Sequence, residues 1–268
     1  MKRFLALTGL TFAVCALVGA QDSAGDRVVV PARNTTHPRV VNAVVTHGSI
    51  TVKSYNGKDV IVEASNSGSD RGRRTDRTVD GLHRIDLPPR GLVVEEEDNV
   101  IQVRASSSDV HNLTISVPAD TALQLRSTHG NLNAEGIHGE IEAHSTNGEI
   151  RLTGISGTVV ADTTNGSITV SMDKVDPGKP IAFSTTNGNV DVTLPADLKA
   201  NFKLRSFHGE IWSDFDMKLS GGQPVTTNGG SNGRFRVEFD RTIFATINGG
   251  GTEASFNSFN GRIMIRKK

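Results

Sequence analysis

Three segments of the chain carry one pattern in three versions: Ser127-Thr128-His129-Gly130, Ser145-Thr146-Asn147-Gly148 and Thr163-Thr164-Asn165-Gly166. A second pattern lies between them, first as Gly136-Ile137-His138-Gly139 and then as Gly154-Ile155-Ser156-Gly157. The glycines at 130, 139, 148, 157 and 166 are evenly spaced, and like corners recur every 18 residues. Shorter copies follow at Asn187-Gly188, His208-Gly209, Asn228-Gly229, Asn248-Gly249 and Asn260-Gly261. Upstream stand Ser54-Tyr55-Asn56-Gly57 and the looser Thr46-His47-Gly48. Internal repetition of this kind is the first thing a fold must explain.

The composition of the corner suggests tight turns. Glycine adopts positive φ freely, and Asn and His do so more readily than other residues. Asn-Gly is a strong short turn signal for that reason, and a preceding Ser or Thr can bond nearby backbone to close the turn. After each corner the second and fourth residues are apolar: Ile150 and Leu152, Ile168 and Val170, Val190 and Val192, Ile263 and Ile265. That alternation marks half-buried strands. Ala134, Ala143 and Ala161 fall at inward positions, which implies a narrow core.

Two architectures fit the spacing, a β-solenoid with two strands per rung and an antiparallel meander with a hairpin at each corner. In a meander all corners are equivalent. Here corner identity recurs at the full repeat and not at its half, which favours an all-β, single-domain β-solenoid with about 18–22 residues per rung.

The ends add a compartment. Lys2 and Arg3 precede an uncharged apolar run from Phe4 to Val18, followed by Val18-Gly19-Ala20. This reads as a secretory signal peptide over 1–20, too short for a membrane span of roughly 20 apolar residues. The single cysteine, Cys15, lies inside it, so the mature part offers no disulfide, thiol nucleophile or thiolate metal site. Residues 21–40 read as a leader and 41–268 as the solenoid. A polar excursion at about 65–91 mixes Arg71, Arg73, Arg74 and Arg77 with Asp70, Asp76 and Asp80.

Without Lys2 and Arg3 there are 27 basic and 29 acidic residues, a net charge of −2 that points to neither nucleic acid nor an acidic membrane. One Trp (Trp212) and one Tyr (Tyr55) leave few aromatic platforms. His47, His129, His138 and His208 precede corner glycines, where turn geometry accounts for them better than metal ligation does; His144 lies nearby. Glu140, Glu142, Glu149, Asp162 and Asp191 fall singly at outward positions. A polysaccharide-cleaving β-helix enzyme would need such carboxylates clustered.

The run from His129 to Met172 resembles the bacterial DUF4097 β-strand repeat family. So do Thr193-Leu194-Pro195-Ala196-Asp197, Arg205-Ser206-Phe207-His208-Gly209-Glu210-Ile211 and the ending Asn260-Gly261-Arg262-Ile263-Met264-Ile265. The similarity spans from about Arg39 to the C-terminus. It implies an exported β-solenoid without established catalysis. The expectation is a non-enzymatic, adhesin-like interaction module of the envelope or surface, with no catalytic, cofactor-binding or metal residues. Its partner would be an envelope protein or glycan, or further copies of itself through exposed strand edges. A structural self-assembling element and a polysaccharide-active enzyme are the alternatives.

Overall fold

A computed structural model describes residues 26–33, 38–66, 92–105, 111–220, 225–228, 235–238 and 242–268. All regular structure among them is β. The chain is a two-faced solenoid: each rung has a strand on a front face and a strand on a back face, joined in rungs 2 to 8 by a corner that carries a glycine.

Numbered along the axis, rung 1 is Val100–Ala105 with His111–Val117 and rung 2 is Val40–His47 with Ile50–Ser54. Rung 3 is Ala122–His129 with Leu132–Glu135, and rung 4 is Glu140–Asn147 with the first half of Ile150–Asn165. That long strand turns at Gly157 and supplies the front of rung 5, whose back is Ile168–Val175. Rung 6 is Ile181–Asn187 with Val190–Leu194, rung 7 is Thr252–Asn260 with Ile263–Lys267, and rung 8 is Ala200–Ser206 with Ile211–Ser213. Neighbouring rungs pair in parallel on both faces.

Chain order and axial order differ at both ends. Rung 2 is the earliest in the chain, yet it lies between rungs 1 and 3. Rung 7 is the last, yet it is inserted between rungs 6 and 8. The Asn187 to Asn260 register therefore spans 73 residues, where its neighbours span 18 and 22. Antiparallel strands then cap the stack. Leu92–Glu97 covers rung 1 in front, and Val60–Asn66 followed by Asp26–Val30 covers it behind. At the other end Thr242–Ile247 and then Lys218–Ser220 extend the front face. Such covers blunt the edges that parallel strands would expose.

The core follows the alternation read from the sequence. One inward column runs Ala43, Leu125, Ala143, Ala161, Phe183, Phe256, Leu204, facing Ile50, Leu132, Ile150, Ile168, Val190 and Ile263. Alanine keeps the middle rungs thin. Towards the C-terminal end Phe256 sits 5.2 Å from Phe183 and 5.6 Å from Phe202, and Phe215 closes the end of the core against Phe202 at 6.4 Å.

The corners match the expected turns only in part. Gly48, Gly130, Gly188 and Gly261 have positive φ, at 117°, 152°, 156° and 159°, whereas Gly148, Gly166 and Gly209 do not, nor do Asn147, Asn165, Asn187 and Asn260. Glycine is required there because the rungs stack: a Cβ on Gly148 would lie 2.0 Å from the carbonyl oxygen of Gly130. Ser206 closes its own turn by accepting from the Gly209 amide at 3.0 Å, whereas other motif hydroxyls reach across to the neighbouring rung. Thr163 and Thr185 donate their hydroxyls to the carbonyls of Gly148 and Gly166, one rung away, at 3.0 and 2.9 Å. The asparagines form a ladder, in which Asn165 donates to Asn147, Asn187 to Asn165 and Asn260 to Asn187, each at 2.8 Å. Stacked amides of this kind recur wherever strands pair in register. His47 and His129 continue the column as stacked rings 5.0 Å apart. Replacing Asn165 with Ala removes two ladder bonds and is expected to cost about 1–2 kcal/mol, read as a lower urea midpoint with an unchanged slope.

Other expectations need correction. Asn248-Gly249 is a positive-φ turn between strands and stands outside the column, as do Asn56-Gly57 and Asn228. The 21–40 leader contains a paired strand, Asp26–Val30, because Val30 reaches the core and Arg39 donates to the Pro31 and Lys58 carbonyls. The signal segment 1–20, Gly229 and the 67–91 part of the polar excursion lie outside the described residues; Ser65 and Asn66 end a strand.

Candidate functional site

The outward side of the front face ends, just before each corner, in a column set by the repeat itself. Thr128, Thr146, Thr164 and Thr186 stand there, bracketed by the in-register pairs on either side of each. All four are exposed. In rungs 7 and 8 the same position holds Phe259 and Phe207, so a polar ridge becomes an aromatic one.

The two rings stack with centroids 5.0 Å apart, at exposures of 43% and 39%. The Arg205 guanidinium carbon lies 5.3 Å from the Phe207 ring centre, and His208 meets Phe259 edge-on at 5.3 Å. A cation over a ring is worth about 0.5–1 kcal/mol at an exposed site. The cluster is thus held in shape, with its apolar edges turned to water. Exposed aromatic and Arg side chains held this way are the groups that dominate binding energies when buried by a partner.

Around the corner, on the back of rung 8, Trp212 is 60% exposed. Beside it is a shallow depression lined by Ser213, Asp214, Arg262, Met264 and Arg266. Its arginines are both paired. Arg266 makes a two-pronged contact with Asp191 at 2.8 and 3.1 Å, which holds the guanidinium more firmly protonated than usual, and Arg262 lies 3.6 Å from Glu210.

The histidines and acids weighed in the sequence do not converge. His47 and His129 are stacked at one end of the corner column and His208 is at the other. His138 belongs to the second corner, 3.8 Å from Asp120, and His144 bonds Asp162 on the front face. Glu140, Glu142 and Asp162 lie on front strands, Glu149 at a corner and Asp191 on the back. Among the described residues no group of three His, Cys, Asp or Glu side chains could hold a metal ion.

The aromatic ridge was missed in the sequence, although its signal is present. Ser206-Phe207-His208-Gly209 and Ser258-Phe259-Asn260-Gly261 keep the corner motif and exchange only the outward Thr for Phe.

A two-faced parallel β-solenoid with glycine corners is a repeat scaffold. The chain belongs to the Toastrack DUF4097 family, whose description matches residues 46–238. No curated protein matches it. Two solved structures are distantly similar to the chain. One is a "putative cell adhesion protein" from Clostridium sporogenes, 11% identical, covering 91% of this chain and 100% of that one with a TM-score of 0.46. The other is a "putative adhesin" from Bacteroides fragilis, 9% identical, covering 92% and 98% with a TM-score of 0.39.

Proposed function

We propose that the protein is an exported, non-enzymatic interaction module of the cell envelope, and that the corner ridge of rungs 7 and 8 is its contact surface. The observation that carries this reading is the exchange of the outward Thr for stacked Phe259 and Phe207 in two adjacent rungs, with Arg205 over the outer ring. A structural column would not need that exchange, since Thr serves it in the four preceding rungs. The dispersal of the carboxylates over two faces supports a binding role over polysaccharide cleavage. The apolar run after Lys2 and Arg3 supports export.

The test compares the purified protein with a Phe207→Ala/Phe259→Ala variant. Both are assayed for pull-down of envelope proteins and co-sedimentation with peptidoglycan and surface glycans. The variant is expected to lose at least tenfold in affinity for whatever the native protein retains, because two exposed aromatic anchors each supply about 1–2 kcal/mol. Its melting temperature should stay within a few degrees of the native value. Equal retention by both proteins would place the contact elsewhere.

A further inference from the structure

Rung 8 precedes rung 7 in the sequence, so both walls of the space between rungs 6 and 8 are made before the strands that fill it. Until residues 252–267 arrive, the front face lacks a strand between Ile181–Asn187 and Ala200–Ser206. The back face lacks one between Val190–Leu194 and Ile211–Ser213. The space is a slot two strand spacings wide, about 10 Å. Phe183, Val190 and Val192 line one wall and Phe202 and Leu204 the other, all buried once rung 7 is in place. Unpaired strand edges around an apolar gap are the features by which proteins accept an added strand.

Rung 7 is held by residues far from it in the chain. All its ladder pairings go to residues 181–213. The strand that leads into it, Thr242–Ile247, lies on the other side of Ala200–Ser206 and pairs with that strand instead. Residues 248–251 make the link. Asn248, Gly249 and Gly250 have φ of 49°, 89° and 82°, three successive left-handed residues that carry the chain back past the start of rung 8. The Gly250 amide donates to the Ile247 carbonyl at 3.0 Å, and this bond is what an opened link gives up. Stretched out, the four residues would span about 13 Å. Every pairing between rung 7 and its slot is remade if the slot belongs to a second copy.

We propose that two copies of the protein exchange rung 7, so that residues 252–268 of each fill the slot between rungs 6 and 8 of the other. The product is a closed, twofold-symmetric dimer. Its corner ridge is shared, with Phe207 from one chain beside Phe259 from the second copy, and each dimer carries two ridges. A repetitive envelope surface would meet both at once, which raises avidity without new contacts. The exchange itself does not require the ridge to bind anything, so it stands or falls apart from the contact surface proposed above. A link this short keeps a chain's own rung 7 at an effective concentration of about a millimolar. Exchange therefore belongs to conditions in which chains fold crowded together.

The test uses Ser184→Cys and Asn257→Cys as separate variants in a Cys15→Ser background, which leaves no other thiol. The two positions are in register across rungs 6 and 7, where the Asn257 amide donates to the Ser184 hydroxyl at 3.3 Å, so their spacing suits a disulfide. The variants are unfolded, mixed, refolded together at about millimolar concentration and oxidised. A covalent dimer with its disulfide mapped between positions 184 and 257 is expected. Variants folded separately and then mixed should give little of it, because rung 7 must leave its slot to exchange. Gly249→Val strains the closed link without a clash, since a Cβ there meets nothing within 4 Å. By light scattering it should raise the dimer share about tenfold. Gly178→Val, placed at a φ of 78° with the same free space but outside the link, should leave that share unchanged. Absence of the 184–257 cross-link from the co-refolded mixture would overturn the proposal. So would an equal yield from separately folded variants, or a dimer share that Gly249→Val and Gly178→Val change alike.

Discussion

Ending the chain at Gly251 is expected to unfold the region beyond rung 6, where trimming an ordinary terminal repeat would leave the rest intact. In a simple solenoid each repeat contacts only its chain neighbours, and the last one is dispensable in proportion. Here the last 17 residues form rung 7, which is paired on both sides. Its removal strips rung 8 of its parallel neighbours on both faces and leaves Phe183 and Phe202 without Phe256 between them. Truncating a buried Phe to Ala alone costs about 3–5 kcal/mol. One such loss is already a large fraction of the roughly 5–15 kcal/mol that holds a domain together. The truncated chain should lose its cooperative melt and be cut by protease throughout 195–251. A truncated protein that melts cooperatively within a few degrees of the full chain would show that rung 7 does not sit between rungs 6 and 8.

Gly166→Ala should be nearly as damaging although it adds one methyl group near the surface. Its Cβ would lie 2.1 Å from the Gly148 carbonyl oxygen, 2.6 Å from the carbonyl carbon and 3.2 Å from the Glu149 nitrogen. These are backbone atoms, fixed by the ladder between rungs 4 and 5, so no rotamer change relieves the clash. A cost of about 4 kcal/mol or more follows, which puts it among the rare severe substitutions. At about 2–4 °C per kcal/mol for a chain of this size, the melting temperature should drop by roughly 10 °C. Gly178→Ala is the control. Gly178 has a φ of 78° and a methyl group there would meet nothing within 4 Å, so only backbone strain of about 1–2 kcal/mol is added. If the two variants melt together, close stacking is not what requires glycine at this corner.

Much of the fold was legible because it rests on local chemistry. The period-2 alternation after each corner identified the inward residues, and the inequality of the two corner types pointed to rungs over hairpins. Insertion of rungs 2 and 7 was not legible. Val40–His47 and Thr252–Asn260 have the same polarity pattern as every other front strand. That pattern says which face a strand presents and nothing about which strand lies beside it. The antiparallel caps were hidden for the same reason. The corner motif was recognised but only part of its cause: positive φ holds at glycines such as Gly48, whereas at Gly148 and Gly166 the constraint comes from the rung alongside. The ridge was obscured by reasoning from total aromatic content. Five per cent of the chain is aromatic, but Phe207 and Phe259 occupy equivalent positions in adjacent rungs, and that placement matters more than the number.

The asparagine ladder has a consequence for how the molecule ages. Asn-Gly is the peptide most prone to deamidation, because an unhindered glycine nitrogen can attack the asparagine side chain and close a succinimide. Along the corner column that reaction is blocked twice. The nitrogens of Gly148 and Gly166 are committed to the carbonyls of Asn165 and Asn187, each at 3.0 Å, and the side-chain amides are tied to one another. A sequence that looks chemically fragile when read as a string is therefore durable once stacked, and its wear becomes a record of how often the rungs part.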